Sequence, residues 1–119
     1  MDKKKIGMDA ERKAETFLRK ERLKLITRNF RSRFGEIDLI MMDSNTLVFI
    51  EVRLRNSRKY GGAAASVTRQ KQSRIIKTAQ WFLMQNNQFQ SKACRFDVIA
   101  FEDEAAPDKP LWYKDAFSA

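Results

Sequence analysis

At 119 residues the chain is long enough to bury one core without staples and too short for two, so it reads as a single domain, 1–119. With 24 Lys and Arg against 15 Asp and Glu, the formal charge is +9 and the pI near 10.0, a footprint that favours a polyanionic partner, nucleic acid ahead of an anionic membrane surface or the ribosome. The lack of histidine excludes Ser-His-Asp triads, Cys-His pairs and imidazole catalysis, and the single Cys94 excludes an internal disulfide or a multi-cysteine zinc site. Any catalysis must therefore run on carboxylates, cations or a metal.

The N-terminal MDKKKIGMDAERK is charged with no apolar region behind it, and no stretch approaches a membrane span. The expectation is a cytoplasmic, non-membrane protein. In MDAERKAETFLRKE, Ala10, Ala14, Phe17 and Leu18 recur at the period of an amphipathic helix, with Asp9 as its candidate cap. KLITRNF reads as a strand whose Lys24, Arg28 and Arg31 suit a sheet edge. FGEIDLIM and TLVFIEVRL follow as a hairpin around the turn-rich DSN at 43–45. The run NSRKYGGAAAS at 56–66 reads as a loop near a polyanion. From 67 to 85, Ile75, Ile76, Ala79, Phe82 and Leu83 line one face of a second helix. CRFDVIAF is a further strand, EDEAAPDKP an acidic loop and LWYKDAF a last short strand. The order αβββαβ, before that last strand, predicts an α/β domain with a mixed central sheet flanked by helices.

Three carboxylates stand inside the hairpin's apolar run. Side chains alternate along a strand, so Glu36, Asp38 and Ile40 share one face and Ile37, Leu39 and Met41 the other; on the second strand Phe49, Glu51 and Arg53 oppose Val48, Ile50 and Val52. If the turn spans 43–46, residue 42 pairs with 47, Asp38 lies opposite Glu51 and Glu36 opposite Arg53. Two ionised carboxylates roughly 5 Å apart repel and resolve this by sharing a proton or a cation. Mg²⁺ or Mn²⁺ needs only one or two carboxylates plus substrate phosphate, and can activate water without histidine. The plainer reading is a wet hairpin face with a Glu36–Arg53 ion pair. The conjunction with a basic stretch favours the cation site: Arg53, Arg55, Arg58, Lys59, Arg69, Lys71, Arg74 and Lys77 fall within 53–77 with no acidic residue among them.

Other side chains read as structural. Trp81, Phe82, Trp112 and Phe117 fit core packing, Asp97 an ion pair with Arg95, Cys94 a buried apolar role, and Met41 and Met42 hairpin packing. Tyr60 could stack on an unpaired base or anchor its loop. No GxxxxGK phosphate cradle occurs.

GEIDLI, LVFIEVR, the V-x3-KQ-x-RI run at 67–75, RFDVI and the tail WYKDAF resemble the YraN-type family of small bacterial proteins, over 7–117. That family is similar to the PD-(D/E)XK nucleases, among them archaeal Holliday-junction resolvases. The resemblance implies a restriction-endonuclease-like αβββαβ core, with Asp38 and Glu51 as catalytic metal ligands for Mg²⁺ or Mn²⁺ and Arg53 at the position of the motif lysine. It implies Glu11 as a helix glutamate beside the metal, and a supporting role for Glu36 through metal-bound water or a bridge to Arg53. Lys71, Gln72 and Arg74 match the KQ-x-R pattern and join Arg55, Arg58, Lys59, Arg69 and Lys77 as candidate nucleic-acid contacts. Arg53 is the departure, because an arginine cannot lose its proton in a protein and serves only as an electrostatic clamp. The expected function is metal-dependent cleavage of branched or structured DNA. The alternatives are a nucleic-acid-binding module without turnover and a basic adaptor whose acidic tail recruits a protein. Two cuts across a symmetric junction would suit a homodimer.

Overall fold

The computed structural model describes residues 3–54, 67–101 and 109–119, with side chains from residue 7. Its elements are α1 (Lys3–Lys20), β1 (Lys24–Ser32), β2 (Gly35–Asp43), β3 (Thr46–Leu54), α2 (Arg69–Gln85), a 3-10 turn (Asn87–Phe89), β4 (Ala93–Phe101) and β5 (Leu111–Phe117). The sheet order is the chain order, β1-β2-β3-β4-β5. All neighbours are antiparallel except β3 and β4, which run parallel and are joined through α2, as a crossover between parallel strands requires. This is the expected mixed α/β sheet, consistent with a restriction-endonuclease-like core. Arg55, Arg58, Lys59 and Tyr60 lie outside the described residues, as does most of the acidic loop. Among the described residues no helix is long and apolar enough to cross a membrane.

Each helix covers one face. Ala10, Ala14 and Leu18 of α1 pack on Leu39, Met41, Val48, Ile50, Ile99 and Phe101. Ile75, Ala79 and Phe82 of α2 pack on Ile37, Ile40, Leu47, Phe49, Phe96 and Val98. Because both faces are covered, β3 is buried without a break from Leu47 to Glu51, the near-continuous apolar run of a central strand. Phe82 meets Phe30 and Phe49 edge-on, at 5.2 and 6.1 Å between ring centroids, and stacks on Phe89 at 5.8 Å.

Several local expectations change. α1 begins at Lys3, so Asp9 lies inside the helix and caps nothing; the lysines ahead of it are good helix formers and carry the helix past that position. α2 begins at Arg69, where Thr68 accepts a hydrogen bond from the Lys71 amide at 3.1 Å, the usual duty of a threonine cap. Ile37 does not share a face with Leu39 and Met41: it packs under α2 and they pack under α1. On the neighbouring strand, between the pairs Phe30↔Ile37 and Arg28↔Leu39, Asn29 has a φ of 50°, a left-handed conformation. Cys94 is exposed, and Trp81, 38% exposed, sits on the outer side of α2, clear of the core.

Asp97 is the expected partner of Arg95, and it holds more besides. Fully buried, it takes Arg95 Nε at 3.0 Å, the Trp112 indole N–H at 2.9 Å and the Asp115 amide at 2.9 Å. Arg95 reaches on to Asp43 at 2.8 Å. A buried charge satisfied in this way ties β5 to β4 and to the β2–β3 turn.

Candidate active site

The β2–β3 ladder runs from Asp43↔Thr46 through Met42↔Leu47, as the turn predicted, to Leu39↔Ile50. Beyond that pair the two strands follow different neighbours. β2 stays with β1 down to Ser32↔Gly35, while β3 stays with β4 up to Leu54↔Phe101. Asp38 and Glu51 stand in the opening. The ladder is replaced there by a side-chain bond, in which Asp38 Oδ2 accepts the Val52 amide at 2.8 Å.

Both carboxylates are buried, Asp38 at 8% and Glu51 at 7% exposed. Burial pushes the Asp38 carboxyl up to about 8, with the charge and hydrogen-bonding proximity of Glu51 adding to it and the Val52 amide opposing it. In the metal-free protein the neutral form of Asp38 is thereby favoured, as desolvation beside a second carboxylate requires. Lys71, in the first turn of α2, reaches Glu51 with its Nζ 3.6 Å from Oε2. A cavity of about 230 Å³ beside Glu51 is lined by Gly35, Glu36, Lys71, Arg74 and Ile75.

The placement of α2 over this opening has a local cause. The hydroxyls of Ser32 and Thr78 lie 3.1 Å apart, Thr78 donates to the Arg74 carbonyl at 2.8 Å, and Ser32 also accepts the Phe34 amide at 3.0 Å. Gly35, with a φ of 152°, gives the turn a backbone conformation that other residues rarely adopt. The β1–β2 turn and α2 are thereby locked together, and Lys71 and Arg74 are carried to the carboxylates.

The other sequence candidates divide. Glu11 of α1 is held with its carboxyl raised, by partial burial first and then by the charge of Asp38, against a hydrogen bond from Asn29. It therefore belongs to the Asp38 neighbourhood, although no group of three or more acidic, Cys or His side chains among the described residues is arranged to hold one ion. Glu36 is solvent-facing and pairs with Arg31 across the β1–β2 ladder, Nε to Oε2 at 3.2 Å. Arg53 follows Glu51 by two residues on β3, opposite Ala100 of β4. Gln72 turns its amide to the Val67 carbonyl at 2.9 Å. Arg69, Arg74 and Lys77 are exposed on α2.

Two features escaped sequence reasoning. Lys71 reads from the sequence as one phosphate contact among many, and its place beside Glu51 depends on how α2 docks; the only signal is its i, i+3 spacing to Arg74. Glu15, on which sequence reasoning is silent, is buried and forked to Arg28 at 2.6 and 3.0 Å, which fixes α1 to β1 beside Glu11. With Met8, Arg12 and Asn29 these residues line a second cavity of about 510 Å³ on the α1 side.

The model of Uncharacterised protein family UPF0102 matches residues 10–101, from α1 to the end of β4. The chain is 47% identical over 116 residues to a UPF0102 protein of Methylobacillus flagellatus, covering 98% of this chain and 99% of that relative. It is 46% identical over 119 residues to the UPF0102 protein YraN of Salmonella newport and to that of Salmonella heidelberg, covering 99% of this chain and 88% of each relative. The likeness to YraN drawn from its motifs is borne out.

Proposed function

The chain belongs to the UPF0102 family, and on that premise we propose that it is a divalent-metal-dependent nuclease acting on DNA phosphodiesters, branched or structured DNA foremost. One observation carries the reading: a buried like-charge pair, Asp38 and Glu51, at the point where β2 and β3 part, in a chain of charge +9. A fold has no use for two buried carboxylates that repel each other, whereas a cation site does. Carboxylates at a sheet opening beneath a basic helix also support the likeness to PD-(D/E)XK nucleases.

The donor set fits Mg²⁺ or Mn²⁺. Both are hard cations that accept one or two carboxylates and complete their shell with water and substrate phosphate. Asp38 and Glu51 would hold the ion, with Glu11 and Glu36 near enough to act through its waters. When bound, such an ion polarises the phosphoryl oxygen and acidifies water. The Val52 amide holds one oxygen of the Asp38 carboxylate and leaves the other for an ion. Arg53 clamps phosphate and cannot exchange a proton. Lys71 offers what Arg53 lacks: its ammonium, beside Glu51, can orient the attacking water or protonate the leaving oxygen. Arg74, lining the same cavity, neutralises phosphate charge as it develops.

The second reading, a binding module of the same fold, rests on Arg53 standing at the lysine position. The two readings separate in one assay. Labelled four-way junctions, flaps, single strands and duplexes are incubated with the protein in Mg²⁺, Mn²⁺ or EDTA. Cleavage in metal that is lost in EDTA and in Asp38→Asn is expected. Binding without cleavage under every condition would leave the module, and absence of binding would sink both.

A further inference from the structure

α2 offers cations on two opposite flanks, and only one of them faces the carboxylates. At 3.6 residues per turn, Lys71 and Arg74 fall on the flank that lines the Glu51 cavity. Arg69, Ser73 and Gln80 fall roughly half a turn from Lys71, and Lys77 stands between them and Arg74. There, with Ser118 from the end of the chain, they line an open groove of about 540 Å³. Among the described residues no carboxylate lines that groove, in contrast to the α1-side cavity with its Glu11 and Glu15. Neither Arg69 nor Lys77 forms an ion pair among the described residues. Hydroxyls, amides and unneutralised cations in a row are donors suited to phosphate oxygens. Between the flanks runs an exposed ridge that includes Gln70, Trp81 and Met84.

We infer that α2 seats in the major groove of duplex DNA and touches both backbones, with Lys71 and Arg74 on the strand over the carboxylates and Arg69, Ser73 and Lys77 on the complementary strand. This rests on the nuclease or binding-module reading above and names its ligand as a B-form duplex arm. The dimensions agree. A helix with its side chains is about 10–12 Å across, and the B-form major groove is about 12 Å wide. A single strand has one backbone and would engage one flank only. The major groove of an A-form RNA duplex is too narrow to admit the helix. The exposed Trp81 and Met84, which the core leaves outside, become the apolar ridge that meets base edges and thymine methyl groups.

The test is binding of the full chain, in EDTA, to a short duplex DNA, to each of its single strands and to the matching RNA duplex, as a function of salt. For Arg69→Ala/Lys77→Ala the log–log salt slope on duplex DNA should fall by about 2, near 0.9 per phosphate contact, while single-strand binding stays as in the wild type. Ser73→Glu, which sets a negative charge in the same groove, should weaken duplex binding alone and serves as a second variant should the first melt early. Equal losses on single and double strands, an unchanged slope, or tighter binding to duplex RNA than to duplex DNA would each overturn the proposal. A wild-type chain that binds no nucleic acid fails differently, because it removes the function itself rather than the placement of α2.

Discussion

Replacing Asp38 by asparagine should change how the stability of the metal-free protein responds to pH. The carboxyl is raised from 3.8 to about 8, chiefly by burial and then by Glu51, so between those values the folded state binds a proton that the unfolded chain has released. Under linkage, stability then falls as pH rises through that window and levels off above about 8. Each pH step is worth ~1.4 kcal/mol, so on the order of 5 kcal/mol is lost from about pH 4 to pH 8. Asparagine keeps an oxygen for the Val52 amide, now 2.8 Å from Oδ2, and removes both the titration and the repulsion of Glu51. The variant should therefore be the more stable protein at pH 8 and lose the advantage by pH 5. Urea unfolding in EDTA at pH 5, 6, 7 and 8, wild type beside variant, measures this directly. A wild-type stability that is flat across the range, or a variant with the same slope, would refute the raised carboxyl of Asp38.

Three further outcomes are expected. Lys71→Met should lower metal-dependent cleavage by about 10²-fold or more, with melting nearly unchanged because a half-exposed pair is worth at most ~1 kcal/mol; full activity in that variant would return the role to Arg53. Arg53→Lys should retain or raise cleavage, since it restores a compact charge that can hold water, and an inactive Arg53→Lys protein under every metal and substrate would favour the binding module. Asp97→Asn should cost ~3 kcal/mol by leaving Arg95 underpaired in a buried site, seen as a drop of about 10 °C in melting at an unchanged metal affinity; a change in metal affinity would mean that β4 communicates with the carboxylates.

Much of this arrangement was legible in the chain, for physical reasons. Strand alternation and a short turn fix the β2–β3 register, so the approach of Asp38 and Glu51 follows from local sequence, and the apolar periodicity of 75–83 gives α2. What could not be read depended on long-range docking or on backbone conformation. Nothing local places Lys71 against Glu51 rather than in solvent, because that contact is set by Ser32 and Thr78 across 46 residues of chain. Period-2 reasoning fails at Ile37, the residue beside Asp38, which packs under α2 while Leu39 and Met41 pack under α1. Arg31 competes for Glu36 from the neighbouring strand, and pairing by hairpin register alone could not see it. The contacts expected of Arg55, Arg58 and Lys59 lie outside the described residues.

The sheet keeps its strands in the order of synthesis, and this sets the order in which the site can be made. A three-strand meander needs only short loops to close, whereas the parallel β3–β4 pair must wait for α2 to be threaded between them, a slower step with a larger loss of chain entropy. Asp38 and Glu51 should therefore be brought together early, on a hairpin still open to water, where their repulsion is weak. The desolvation that sets them at odds comes later, when the helices close over the sheet. A divalent ion captured at the hairpin stage would be carried into the finished core with its ligands, so metal in a refolding mixture should speed the last step of folding as well as stabilise its product.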